Sequence, residues 1–234
     1  MILSGLFRPA WLLSRSLSQA TVPQNVLVKI PDYIELNEAL TSEPHLGQAL
    51  VSSMTVHNDF LSQSEEKSLI EEIEPYMSEL KYEFDHWDDA IHGYRETERL
   101  NWNESNTKIL SRVREIAFPP SVAQLRHVHI LDLDKEGYIK PHIDAIRFCG
   151  DTIAGLSLLS DSVMRLVLDK NKTIYANIML KKRSLYVMRG TARFDYTHEI
   201  LSNNCSVFKG DKVVKDRRIS VICRNEPSGE HTKL

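Results

Sequence analysis

The pattern of apolar and polar positions changes near residue 124. Before that point apolar residues recur at helical spacing; after it they fall into short runs divided by turn residues. Leu69, Ile70, Ile73, Tyr76, Met77 and Leu80 form a helical stripe. Ser62-Gln63-Ser64-Glu65 ahead of it reads as a capping box that opens the helix, and Pro75 is expected to bend or shorten it. The spacing predicts a second helix over 106–117, stopped by Pro119-Pro120. Residues 51–56 read as a short strand. Residues 81–104 alternate acids, bases and aromatics, with Gly93 as an expected turn.

From Gln124 onward, β-rich segments are expected at 128–131, 137–144, 151–159, 163–169, 174–180, 185–188 and 219–224. Turn signals separate them at 134–137, 160–162, 169–172, 181–184 and 189–190. Strands of this length and spacing predict a mainly β fold, a sandwich or jelly roll, with the N-terminal helices packed on one outer face.

Composition narrows this only a little. A chain of 234 residues with 42% apolar and 26% charged residues fits one globular domain with a sizeable core. A net charge of −3 argues against a strongly cationic nucleic-acid binder. Cys149, Cys205 and Cys223 are odd in number and widely spaced, which fits buried free thiols in a reducing compartment. No run approaches the ~20 apolar residues of a membrane span. The N-terminus does change the picture. No Asp or Glu precedes Asp32, and Arg8 and Arg15 punctuate an apolar, serine-rich stretch. That is the composition of a mitochondrial transit peptide. Pro9 and Arg15 break the apolar run that a secretory signal needs; a disordered terminus is the plainer alternative. Residues 1–25 are therefore read as a transit peptide to the mitochondrial matrix, 26–226 as the functional domain and 227–234 as a flexible tail.

The candidate chemistry centres on residues 137–144, which end in His142-Ile143-Asp144. On a strand, residues i and i+2 share a face, so the imidazole and the carboxylate would project together. They make two thirds of a facial metal site that a second histidine would complete. His198 follows in the same β-rich half, and a jelly roll can bring it to the same mouth. A second His-x-Asp, His86-Trp87-Asp88, lies in a charged region without a strand pattern and reads as solvated or locally hydrogen-bonded. His127 and His129 share a strand face and read as core or pocket-lining.

Residues 218–224 alternate cleanly. Arg218, Ser220, Ile222 and Arg224 face one way; Ile219, Val221 and Cys223 face the other. Two arginines on one face of an apolar strand need partners. Those partners are either internal carboxylates or a small carboxylate ligand held in bidentate fashion.

His142-x-Asp144, His198 and Arg218-x5-Arg224 together resemble the AlkB-type Fe(II)- and 2-oxoglutarate-dependent dioxygenases. Residues 180–190 resemble the family's strand and turn before its distal histidine. The blocks at 137–144, 148–150, 153–159 and 217–224 are similar to the mitochondrial member of that family. The resemblance covers residues from about 50 to 226. It implies a double-stranded β-helix with Fe(II) on His142, Asp144 and His198. It further implies 2-oxoglutarate on Arg218 with help from the Tyr186 hydroxyl, Arg224 as the family's second arginine, and O2 as the other co-substrate. It also implies links to programmed necrosis and fatty-acid metabolism.

Nucleotide-directed relatives carry Asn-x-Tyr about ten residues before His-x-Asp; here the segment reads His129-Ile-Leu-Asp132-Leu133-Asp134. The region of the family's nucleotide lid is also short. Trp87, Tyr94 and Trp102 are the available aromatics for a base clamp, and Lys209, Lys212, Lys215 and Arg217 form a basic run that reads as a solvated loop. A protein substrate is therefore expected, DNA is not, and methylated mitochondrial RNA is the alternative. A non-enzymatic module that binds metal and 2-oxoglutarate is the reading from another class.

Overall fold

In the computed structural model, residues 29–84 and 90–227 are described. The transit-peptide reading, the His86-Trp87-Asp88 copy and the tail beyond residue 227 lie outside them.

The first elements are β1 (Ile34–Leu36), α1 (Glu38–Thr41), α2 (Pro44–Ser53), β2 (Met54–His57) and α3 (Gln63–Met77). Next come β3 (Ile91–Arg99), α4 (Glu104–Ala117), β4 (Val128–His142), β5 (Thr152–Leu158), β6 (Ser162–Leu168) and β7 (Tyr175–Leu180). The chain continues through β8 (Ser184–Arg189), α5 (Gly190–Phe194), β9 (Tyr196–Ile200), β10 (Val207–Phe208), β11 (Asp211–Lys212) and β12 (Arg218–Arg224).

Both expected long helices form, for the reasons legible in their caps. Ser62 and Glu65 make the reciprocal capping box of α3. Leu69, Ile73 and Met77 are its buried stripe, whereas Tyr76 and Leu80 remain exposed. Pro75 sits in the last turn, two residues before the end. α4 starts two residues earlier than expected because the Asn103 side chain accepts from the Asn106 N–H and caps it.

Ten strands form one curled antiparallel sheet, in the order β1-β7-β6-β9-β4-β12-β5-β8-β2, with β3 also paired to β4. The fold is mainly β and of the jelly-roll kind. β4 belongs to both halves. Its residues 129–133 pair with β12, while Ile139 and His142 pair with Ile200 and His198 of β9. One core lies between the halves, where Leu131, Leu133, Ile153 and Ile222 meet Met164, Leu166, Ile178 and Ile200. A second lies outside, where α3 and α4 cover Ile219, Val221 and Cys223 of β12 with Leu156 and Val187. Leu40 of α1 and Leu50 of α2 join the inner cluster instead, so the helices are divided between two clusters.

Several elements depart from the sequence pattern. The break at 134–137 is not a turn: β4 runs through it. Gly93 is not a turn either. It takes a positive φ of 64° at a bulge in β3, a strand with almost no apolar alternation. There its backbone lies against Gly137, where a side chain would strike the Gly93 and His92 carbonyls. Cys205 is exposed rather than buried; Cys149 and Cys223 are buried, and all three are free thiols.

Candidate metal and 2-oxo-acid site

His142 is the last residue of β4, so the strand argument holds for only one of the first two ligands. Asp144 lies two residues past the strand end. β9 brings His198 opposite His142. Asp144 Oδ1 lies 3.3 Å from His142 Nε2 and 3.7 Å from His198 Nε2. One ligand atom from each of the three lies within 4.8 Å of the others, close enough to hold one ion.

The proton states suit a cation. The His142 Nδ1–H donates to the Lys140 carbonyl at 2.9 Å, which leaves Nε2 with the lone pair that a metal takes. Burial, with the nearby His142, pushes His198 down to about 3, so it is neutral at physiological pH. Burial alone would raise the Asp144 carboxyl. The Arg224 guanidinium and the two adjacent imidazoles outweigh it and hold the group well below the usual carboxylate range. Two imidazoles and one carboxylate are a donor set suited to a divalent iron with positions left open.

β12 sorts its side chains as the alternation predicts. Arg218, Ser220, Ile222 and Arg224 line the cavity together with the triad, Tyr186 and His129. The concave space measures about 520 Å3, part of it continuous with solvent. Arg218 is 1% exposed. Its Nε donates to Ser157 Oγ at 3.1 Å and its Nη1 to Ser220 Oγ at 2.5 Å. Nη2 is buried with no partner, and no carboxylate among the described residues pairs with this guanidinium. A buried cation left so costs several kcal/mol, on the order of 3–5, unless an anion joins it. The cavity therefore fits a small carboxylate at this end. Tyr186 lies beside it, its hydroxyl pushed up by burial against the opposing Arg218 charge. Gly155 makes room for that ring: a Cβ there would overlap it. Arg224 sits at the other end, with Nη2 3.5 Å from Asp144 Oδ2.

The segment in place of Asn-x-Tyr is structural. Asp132 is fully buried and takes Arg95 Nε at 2.8 Å and Arg217 Nη2 at 2.8 Å. His129 lines the cavity, its Nε2 2.8 Å from Glu96 Oε2; His127 is exposed, just ahead of β4. The basic run is not a solvated loop throughout. Lys215 is 1% exposed and donates to the carbonyls of Asp134 and Lys135, and Arg217 is tied to Asp132 and Glu74. Tyr94 is buried and Trp102 packs toward the α3–α4 cluster, so neither lines the cavity.

No family model matches the chain. A Mus musculus protein named alpha-ketoglutarate-dependent dioxygenase alkB homolog 7, mitochondrial, is 52% identical over 174 residues, 74% of this chain and 79% of the relative. The Bos taurus protein of the same name is 51% identical over 187 residues, 78% of this chain and 85% of that one. The chain belongs to the alkB homolog 7 family.

Solved structures agree on the fold. OsALKBH1 superposes with a TM-score of 0.55 at 10% identity, covering 74% of this chain and 97% of that one. A Trichoplax adhaerens prolyl hydroxylase, in complex with a hypoxia inducible factor oxygen degradation domain peptide fragment, also gives 0.55. It is 12% identical and covers 82% and 91% of the two chains. For this alkB homolog 7 family member, Arg193, in the short helix before His198, is a residue the sequence did not single out. It donates to the Asp144 carbonyl at 2.8 Å. Only its position five residues before a candidate ligand could have drawn attention to it.

Proposed function

We propose that this protein is a mitochondrial Fe(II)- and 2-oxoglutarate-dependent dioxygenase, with His142, Asp144 and His198 as metal ligands and Arg218 as the 2-oxoglutarate clamp. The observation that carries this is the unpaired, buried Arg218 Nη2 in the same cavity as the His–Asp–His cluster. When bound, iron and 2-oxoglutarate would supply oxygen activation, with the oxo acid decarboxylated to succinate and CO2.

The chain's own residues do the rest. His142 and His198 present Nε2 lone pairs, and Asp144 supplies the anionic donor. Arg218 fixes the far carboxylate of the oxo acid, with Ser157 and Ser220 holding the guanidinium in plane. The Tyr186 hydroxyl, held neutral, offers a donor next to it. Arg224 steadies the Asp144 oxygen that faces away from the histidines. Ile139, Ile153, Met164, Ile200 and Ile222 wall the cavity and limit water.

A protein substrate is the better reading. Among the described residues Tyr186 is the aromatic that lines the cavity, and it adjoins the clamp rather than offering a stacking platform for a flipped base. Methylated mitochondrial RNA is the alternative, and a trapped pull-down from mitochondria, with protein and RNA compared, separates the two. Programmed necrosis and fatty-acid metabolism rest on the family resemblance alone. Residues 1–25 are retained as a transit peptide to the matrix, on composition.

The test is turnover without added substrate. Protein loaded with Fe(II) under anaerobic conditions, then exposed to O2, should convert 2-oxoglutarate to succinate, and His142→Ala and Asp144→Ala should abolish this. Equal inertness of wild type and variants, with metal still bound, would leave the non-enzymatic module as the answer.

A further inference from the structure

α5 lies between β8, which carries Tyr186, and β9, which carries His198. Its Arg193 is completely buried. Nε and Nη1 have no partner, and no carboxylate among the described residues pairs with the guanidinium. Nη2 makes both of its polar contacts, donating to the Asp144 main-chain carbonyl at 2.8 Å and to Cys149 Sγ at 3.1 Å. One nitrogen thus reaches both ends of the loop that leaves β4.

Besides Arg193, Asp144 Oδ2 has Arg224 Nη2 at 3.5 Å and Cys149 Sγ at 3.9 Å, and the loop backbone has few bonds of its own. The Phe148 and Cys149 N–H groups donate to the Ala145 carbonyl at 2.9 and 3.4 Å, and Gly150 N–H donates to the Asn225 carbonyl at 2.9 Å. Ile146 and Phe148 are exposed, so apolar packing anchors the loop mainly through the buried Cys149. Asp144 sits at the loop's start, beyond the reach of the β4–β9 ladder.

We propose that Arg193 is a positioning residue for the metal centre: it closes the 144–149 loop so that Asp144 Oδ1 stays turned toward His142 and His198. The proposal rests on the reading of those three residues as metal ligands. Fold stability alone is served as well or better by an apolar side chain of similar volume, because a buried unpaired cation is poorly solvated. What the guanidinium adds to the direct contact of Cys149 Sγ with Asp144 Oδ2, at 3.9 Å, is a link from Cys149 to the Asp144 main-chain carbonyl. Groups that orient a ligand from behind typically change metal affinity about 10- to 100-fold when removed.

Co(II) alone, added to the metal-free full chain, is the probe. Arg193→Met is expected to keep the thermal midpoint of the metal-free protein at or above that of wild type. The same variant should bind Co(II) about 10- to 100-fold more weakly, with altered visible bands as Asp144 loses its fixed orientation. Arg193→Lys keeps a buried cation, but its ammonium ends one bond short of the Nη2 position and so falls short of the two acceptors that Nη2 meets. It should also bind more weakly, and it stands in if the methionine variant does not fold. Wild-type affinity and spectrum in either folded variant overturn the proposal, as does failure of both to fold, which would make Arg193 a requirement of the fold as a whole. If wild type does not bind Co(II), or His142→Ala binds it equally well, the metal reading itself fails.

Discussion

His142 and His198 are cross-strand partners of β4 and β9, their ring centroids 4.2 Å apart and their planes tilted by 49°. Neither ring can be charged without penalty to the other. In an unfolded chain an imidazole titrates near about 6.5, whereas buried His198 stays neutral down to about 3. As pH falls between those values the unfolded chain takes up a proton that the native one refuses. The stability is therefore whole above the upper value and is lost on acidification. Metal-free protein is expected to lose about 1.4 kcal/mol per pH unit from this residue. Urea midpoints at about pH 7.5 and about pH 5.5 measure the loss, which His198→Gln should reduce. An equal drop in the variant would contradict the assignment.

Gly155 and Tyr186 are opposed on β5 and β8, and the ring occupies the space a side chain at 155 would need. Gly155→Ala should push the phenol away from Arg218. Titration of 2-oxoglutarate against Mn(II)-loaded protein is expected to show about a 10-fold weaker affinity, about 1.4 kcal/mol, with Mn(II) affinity little changed. A parallel loss of metal would place the damage in the wrong part of the cavity.

Asp132 is a buried anion between two arginines of different elements, Arg95 of β3 and Arg217 ahead of β12. Asp132→Ala leaves both cations without it, and a loss of about 3–5 kcal/mol in unfolding free energy is expected. Succinate production per folded molecule should be nearly unchanged, since Asp132 does not line the cavity. Equilibrium denaturation and turnover, measured on the same sample, check both halves.

At the β3 bulge, Gly137→Ala would drive a methyl into the His92 and Gly93 carbonyls. An overpacking cost of about 1–3 kcal/mol is expected, and β3 should loosen first. Amide exchange of Tyr94 through Arg99 reports this; unchanged protection there, with the protein folded, would argue against the close approach.

How much of this was legible depends on where each residue's partners lie. β12 could be read from its own letters, because Ile219, Val221 and Cys223 differ so sharply from Arg218, Ser220 and Arg224. The α3 start was equally local, resting on Ser62 and Glu65. β3 could not be read: Arg95, Thr97 and Arg99 form a strand through backbone pairing with β4, not through apolar alternation. β4 was divided at 134–137 because Asp-Lys-Glu-Gly has turn chemistry, whereas the glycine there serves a close backbone approach across the bulge. Lys215 and Arg217 looked solvated because their partners, the carbonyls of Asp134 and Lys135 and the carboxylates of Glu74 and Asp132, are distant in sequence. At the site, His142, His198, Arg218 and Tyr186 all line one cavity, yet Asp144 lies beyond its strand and is held by contacts no tripeptide could announce.

The neighbouring arginines at 217 and 218 look in opposite directions, one toward Asp132 and Glu74, the other into the cavity beside Ser157 and Ser220. Moving β12 by a single residue would exchange their surroundings and turn Ile219, Val221 and Cys223 inward. Each arginine thereby vetoes the slip that the other would suffer. The pair acts as a ratchet on the last strand, so the connection from β11 to Arg218 cannot change length by one residue without that exchange.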